Sequence, residues 1–370
     1  KAEFLSHYYD GRVRPRHAYS MGLINVWARL ASVAPGVANF FSQTPGLSAV
    51  SKWLGGIEPR RAMPPFATET FKDWFFRRPS RNPAGRPVIL WADTFTNYFK
   101  PEHGKAAVAV LEDAGCRVSV PRAHLCCGRP LYDFGMLDTA KSYLRKVLAD
   151  LQPVIEAGVP VIGLEPSCTA VFRDELVGLF DGNEDAKRLR DQTFYLSEYL
   201  NRHAGGWKPP HVGGKAIVHV HCHHKSIIGK ADEMALFKSM GIEVSEPEPG
   251  CCGLAGSFGF EAGHHDVSMA IGERKLLPAV RAAGRDELLI ANGFSCQTQI
   301  GQGTGREPRH LAQVIAAALP GQPAPAVGGR RSGLLTGALV AGGAVLAAGL
   351  LWRALRERRP AAVGRHGEQS

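Results

Sequence analysis

Short apolar runs alternate with longer amphipathic stretches through most of this chain. The run Pro87-Val88-Ile89-Leu90-Trp91-Ala92-Asp93-Thr94-Phe95 is bounded by polar residues and predicts a buried strand. A helix follows over 102–114, a short strand over 116–120, a long helix over 133–157, and a strand from Val161 to Leu164. A further helix over 185–203 ends near Gly205-Gly206. The order then returns: strand 215–222, helix 230–240, strand 242–246, helix 265–283 and strand 287–291. Strands alternating with helices predict parallel sheets with helices packed on their faces, an α/β fold.

Both ends depart from this rhythm. Residues 1–86 read as a helical cap or docking segment. Leu23, Ile24, Trp27, Leu30 and Ala31 fall at helical spacing, and Phe71, Trp74, Phe75 and Phe76 make an aromatic cluster. Residues 320–332 open with Pro320-Gly321-Gln322-Pro323 and form a linker. Gly333 to Trp352 carries no charge over 20 residues, between Arg330-Arg331 and Arg353. That length suits one transmembrane helix, and Gly333 and Gly337 suit a small-residue packing face. A basic tail, 353–370, follows.

The two halves of the middle repeat landmarks as well as elements. Cys126-Cys127-Gly128 returns as Cys251-Cys252-Gly253, Cys168 as Cys296, and Asp93 as Cys222, at offsets of 125, 128 and 129. The spacing marks an internal duplication, with modules at 87–204 and 205–319. Each landmark follows a predicted strand, where open parallel sheets gather their ligands.

Charge and composition narrow the chemistry. Eight cysteines in 370 residues are too few for a disulfide scaffold, and seven of them belong to the repeat. The net charge of +10 is concentrated at the ends, since residues 1–87 hold 13 Lys/Arg against 5 Asp/Glu. Without an aromatic–basic interleave in a folded module, nucleic acid is not expected; an adjoining domain or an anionic membrane suits the basic ends better. The first residue is Lys1, so the chain reads as a fragment or a processed product.

Adjacent cysteines before a glycine can turn two thiolates onto one centre. Glycine permits the turn and the close approach of backbone to a bulky inorganic group. Soft thiolates favour zinc or an iron–sulfur cluster. Two buried apolar cysteines, a vicinal disulfide and a structural zinc site are competing readings, although the CxxC knuckles usual for zinc are missing. The second half offers four thiols, Cys222, Cys251, Cys252 and Cys296. The first offers Cys126, Cys127 and Cys168, with Asp93 in the fourth place. His219, His221, His223 and His224 crowd around Cys222; period-two alternation puts the first three on one face if the strand continues. They could ligate, donate to sulfur or relay protons. Glu165 and Lys225 are weaker candidates.

These residues carry a family resemblance. Cys126-Cys127-Gly128-Arg129-Pro130-Leu131-Tyr132-Asp133, Gly163 to Cys168, His221-Cys222-His223-His224-Lys225 and Cys251 to Gly259 resemble the cysteine-rich (CCG) domain of iron–sulfur oxidoreductases. The group includes the B component of heterodisulfide reductase, the C component of glycerol-3-phosphate dehydrogenase, the iron–sulfur component of glycolate oxidase, and fused FAD-linked oxidases of the D-lactate and D-2-hydroxyglutarate type. The resemblance covers about residues 1–318. It implies two duplicated modules, metal ligation by the seven repeated cysteines, and a [4Fe–4S]-type cluster. It further implies FAD on a partner or upstream domain, a ferredoxin-like segment and a possible quinone acceptor. Together with the C-terminal helix it implies a place at the cytoplasmic face of the cell membrane, or otherwise in the cytoplasm. The expected function is iron–sulfur electron transfer in a flavin-linked 2-hydroxy-acid dehydrogenase. The alternatives are a heterodisulfide-reductase-like catalytic site and a zinc-stabilised interaction domain. In the family each module reads Cys…Cys-Cys-Gly…Cys-x-x-Cys; here Asp93, Val171 and Gln299 stand at three of those cysteine positions.

Overall fold

The computed structural model describes residues 1–247 and 250–320. Among the described residues, seven strands form two wholly parallel sheets. In the first, β1 (Arg86–Leu90), β2 (Cys116–Ser119), β3 (Val161–Gly163) and β4 (Thr193–Tyr195) lie in the order β2-β1-β3-β4. In the second, β5 (Lys215–His219), β6 (Glu243–Ser245) and β7 (Leu288–Ala291) lie in the order β6-β5-β7. Both modules therefore place their first strand between their second and third. The register starts alike, with Arg86 opposite Cys116 and Lys215 opposite Glu243.

The central strands are apolar because helices cover both faces of such sheets. Val88, Leu90, Val218 and Ile290 are fully buried, and each side chain contributes about 1.5–3 kcal/mol by leaving water. These residues belong to one core that also takes in Leu311 and Ile315. The last described helix, Leu311–Ala318, packs back on helix Pro101–Asp113 of the first module. The duplicated halves thus share a hydrophobic interior.

Three predicted elements differ. The helix expected over 185–203 is two helices, Glu184–Asp191 and Leu196–Arg202, with β4 between them. Thr193-Phe194-Tyr195 is a β-branched and aromatic run, and it pairs with β3 from Val161 to Gly163. The helix expected over 265–283 breaks into His265–Glu273 and Leu276–Ala282. A continuous helix would drive the Pro278 ring into the Arg274 carbonyl four residues back. The strand expected over 215–222 ends at His219, because Cys222 and His223 already turn into a helical segment that continues as a π-helix over His224–Ile228. His219, His221 and His223 consequently do not share one strand face.

The N-terminal segment is helical as expected, with six helices from Ala2–Tyr8 to Phe71–Arg77. Phe71 is fully buried against Gly104, where a Cβ would stand 2.6 Å from its ring. The predicted membrane span, Gly333 to Trp352, lies outside the described residues. Among the described residues no helix is long and apolar enough to cross a membrane.

Candidate metal centre

The topology carries every repeated landmark to the carboxyl end of a strand. Asp93 follows β1, Cys126-Cys127 follow β2 and Cys168 follows β3; Cys222, Cys251-Cys252 and Cys296 follow β5, β6 and β7. Both glycines of the Cys-Cys-Gly turns take positive φ, +79° at Gly128 and +94° at Gly253. At Gly253 a Cβ would also lie 2.0 Å from the Ser268 carbonyl oxygen, so turn and packing both demand glycine.

In the second module, Cys252 Sγ, Cys296 Sγ and a ring nitrogen of His219 lie within 4.8 Å of one another, and all three residues are buried. Cys251 Sγ accepts a hydrogen bond from Gly253 N at 3.3 Å. Its thiol is pushed up by the hydrogen bond with Cys252 and by burial. Cys222 Sγ sits apart with His221 and His223, whose ligand atoms lie within 4.8 Å of it and of each other. Burial pushes the Cys222 thiol up, and neighbouring Cys251 pushes it further. A cavity of about 160 Å³ opens on His219, Gly250, Cys251 and Arg274. Crowded thiols that resist ionising one by one, beside an open cavity, suit a soft cation that would take them as thiolates.

The first module is tighter. Cys127 Sγ and Cys168 Sγ are 3.1 Å apart, and Thr94 Oγ1 donates to Cys126 Sγ at 3.6 Å. A hydrogen bond with Cys127 pulls the Cys168 thiol down, yet burial and the nearby Asp93 and Glu165 bring it up to about 12. Asp93 caps its own helix, Thr94–Tyr98. Its Oδ1 accepts from Phe95 N at 2.9 Å and Thr96 N at 3.0 Å, and its Oδ2 from Thr96 Oγ1 at 2.6 Å. The position answering to Cys222 thus holds a carboxyl group with one oxygen serving the backbone and the other the Thr96 hydroxyl.

The remaining histidine differs again. His224 is fully buried, 3.6 Å from Glu233 through Nδ1, with its ring 4.5 Å from that of Tyr195. Burial lowers His224 to about 4 and raises Glu233 to about 8, so both are neutral near pH 7. His224 belongs to this internal polar group and not to the thiols.

Glu165 joins the modules. Its Oε2 accepts from Phe294 N at 2.8 Å, where the helix carrying Cys296 begins, and its Oε1 accepts from Ser167 Oγ at 2.8 Å. Burial, reinforced by Asp93, raises it to about 7. Glu165 lines a cleft of about 320 Å³ that is walled by Phe66, Phe95, Phe99 and Phe294 and opens on His221, Cys222 and His223. Sequence spacing left His219 and Glu165 undecided. Their roles depend on contacts between strand ends; the signals available were the crowding of His219 with three other histidines around Cys222 and the place of Glu165 beside Cys168.

Residues 93–173 and 217–301 each match the family described as the cysteine-rich domain, CCG. The chain is 30% identical over 249 residues to lactate utilization protein A of Bacillus velezensis, an alignment spanning 62% of this chain and 98% of that protein. The chain belongs to the cysteine-rich domain family. It is 28% identical over 272 residues to the C component of the anaerobic glycerol-3-phosphate dehydrogenase of Escherichia coli K12, covering 71% of this chain and 67% of the relative. It is also 28% identical over 233 residues to the D-2-hydroxyglutarate dehydrogenase of Pseudomonas putida, but there it spans only 22% of the relative. This member of the cysteine-rich domain family is an oxidoreductase component.

Proposed function

We propose that the protein is the iron–sulfur electron-transfer part of a flavin-linked dehydrogenase acting on 2-hydroxy acids. The observation that carries the reading is the meeting of Cys252 and Cys296 with His219 beyond the strands of the second module, next to Cys251 and a cavity, with Cys222 on the neighbouring cleft. Cys222, Cys251, Cys252 and Cys296 would hold a cluster of the [4Fe–4S] type. Cys126, Cys127 and Cys168 would hold a second group in the first module, with Asp93 in the fourth place. A bound cluster supplies one-electron carriage. The chain's own residues bury five of the seven thiols, leave Cys251 half-buried and Cys222 exposed, fix the two turns through Gly128 and Gly253, and bring His219 within ligand or donor reach. His221 and His223 flank Cys222 at the mouth of the aromatic cleft.

In this reading electrons come from FAD on a partner or upstream domain, by way of a ferredoxin-like segment, and leave to an acceptor such as quinone. The N-terminal helices suit a membrane surface. Leu30, Phe40, Phe41, Trp53 and Leu54 are exposed on three consecutive helices, and residues 11–57 hold five Lys/Arg and no Asp or Glu. A second reading, reduction of a disulfide-type substrate in the protein itself, is favoured by the cleft that opens on Cys222.

Iron, sulfide and zinc analysis with EPR on anaerobically purified protein tests the proposal. About four iron and four sulfide per chain fit one loaded module and about eight fit both. Zinc without sulfide would replace electron transfer with a structural, non-redox domain.

A further inference from the structure

Arg61 comes from outside both modules, in the connection after helix Leu47–Gly55. It is only 1% exposed. Its Nε donates to Gly259 O at 2.9 Å, its Nη2 to Ser268 Oγ at 2.6 Å and its Nη1 to Gln302 Oε1 at 3.5 Å. All three acceptors are neutral. Among the described residues no carboxylate oxygen lies within 4.0 Å of the guanidinium. The nearest acidic residue in sequence, Glu58, is held by Arg60 at 2.7 Å and by Gly263 N at 3.1 Å. Arginine cannot shed its proton, and a buried charge is costly unless an opposite charge compensates it.

The chain goes to some length to keep it there. Glu58 N donates to Phe260 O at 2.8 Å, Ile57 bridges Glu261, and Gln302 Nε2 donates to Ala62 O at 2.8 Å. These contacts pin residues 57–62 onto the loop that follows Cys251-Cys252-Gly253 and onto the helix that carries Cys296. Ser268, which accepts from Arg61, also presses its carbonyl on Gly253 and accepts from Gln299 Nε2 at 3.2 Å. The guanidinium therefore sits one side chain away from the Cys252 turn. A cation beside the first module's turn is placed differently. Arg129, which follows its Cys-Cys-Gly turn, is paired with both Glu175 and Asp133.

We propose that Arg61 is the built-in counter-charge of the second module's metal centre, a positioning residue that offsets the negative charge of a thiolate-ligated group at Cys252 and raises its reduction potential above that of the first. The inference rests on the iron–sulfur reading above. The physical reason is direct: adding an electron beside a fixed, desolvated cation is favourable, and protein charge is one of the levers that set cluster potentials. Arg129 is neutralised by two carboxylates and shares a cleft with Cys222 of the second module, whereas Arg61 keeps its charge for the Cys252 turn. Electrons entering the chain would then rest on the second module.

The test is an EPR-monitored redox titration, with iron and sulfide content, on full-length wild type, R61K, R61Q and Q302E. Q302E keeps the arginine and sets a carboxylate against its Nη1. R61Q and Q302E are expected to keep their iron and to lower the midpoint potential of the second centre, while R61K stays closer to wild type. Loaded Q302E with an unchanged midpoint would overturn the counter-charge, as would R61K falling as far as R61Q. If R61Q does not load, Q302E and R61K still decide. Wild type without iron would overturn the iron–sulfur reading and this inference with it, whereas loaded wild type with unmoved variants sinks the inference alone.

Discussion

Cys252 meets three kinds of neighbour: other thiols, a histidine ring and, through Ser268, a guanidinium. Only the first kind could be read from spacing, because residue type and repeat together marked the thiols. Arg61 and Ser268 are 207 positions apart, and no local pattern predicts such a pair. Replacing Cys252 or Cys296 with serine is expected to remove about four iron per chain and the EPR signal of the second centre. Cys126→Ser should leave that signal intact; a loss of all signals in C126S would contradict two separate sites. A second residue-scale prediction concerns pH. Glu233 has a folded pKa raised to about 8, so the folded state holds its proton more tightly than the unfolded state does. The stability this contributes is complete below its ordinary value of 4.5 and is lost as pH rises from there through about 8. Glu233→Gln stays neutral and can still accept from Asn292. Its melting temperature should exceed that of wild type by a few degrees at pH 8.5, with the gap closing towards pH 5. A gap independent of pH would mean that Glu233 is already ionised in the folded protein.

At the scale of elements, strands were legible where apolar runs were short and bounded, as in β1, β5 and β7. Helix boundaries were less so. Thr193-Phe194-Tyr195 was hidden between two polar helical stretches, and its strand exists only because β3 offers an open edge. The Cys-Cys-Gly turn is the element on which the site depends most. Gly253→Ala must hold φ near +94° and displace the Ser268 carbonyl from 2.0 Å. Strain of this kind costs on the order of 1–3 kcal/mol. The expected outcome is a lower melting temperature together with reduced iron at the second centre only. The same substitution at Gly128 meets its nearest atoms at 3.4 Å, so it should suffer the φ penalty alone and be milder. Equal losses in the two variants would show that contact with Ser268 plays no part.

For the whole molecule, the sequence made the duplication plain but not the joining of its halves. Leu311 and Ile315 close the first module's core, and Glu165 of the first module receives the backbone of the helix that holds Cys296. The N-terminal helices show a similar division of labour. The connection after helix Leu47–Gly55 delivers Arg61 to the second module, while the helices themselves expose Leu30, Phe40, Phe41, Trp53 and Leu54. Amphipathic helices normally turn such residues inward, so an outward apolar stripe calls for a surface to cover it. Five cations and no acids over residues 11–57 favour an anionic lipid surface, where each cation near the headgroups contributes about 1 kcal/mol. Full-length protein should sediment with vesicles containing phosphatidylglycerol more than with neutral phosphatidylcholine vesicles, and salt should weaken the binding. L30E with W53E should cut that binding about tenfold while iron content and EPR spectra stay as in wild type. Undiminished binding would mean that another part of the chain makes the contact; lost binding with lost iron would mean that the helices serve the metal centre before they serve a membrane.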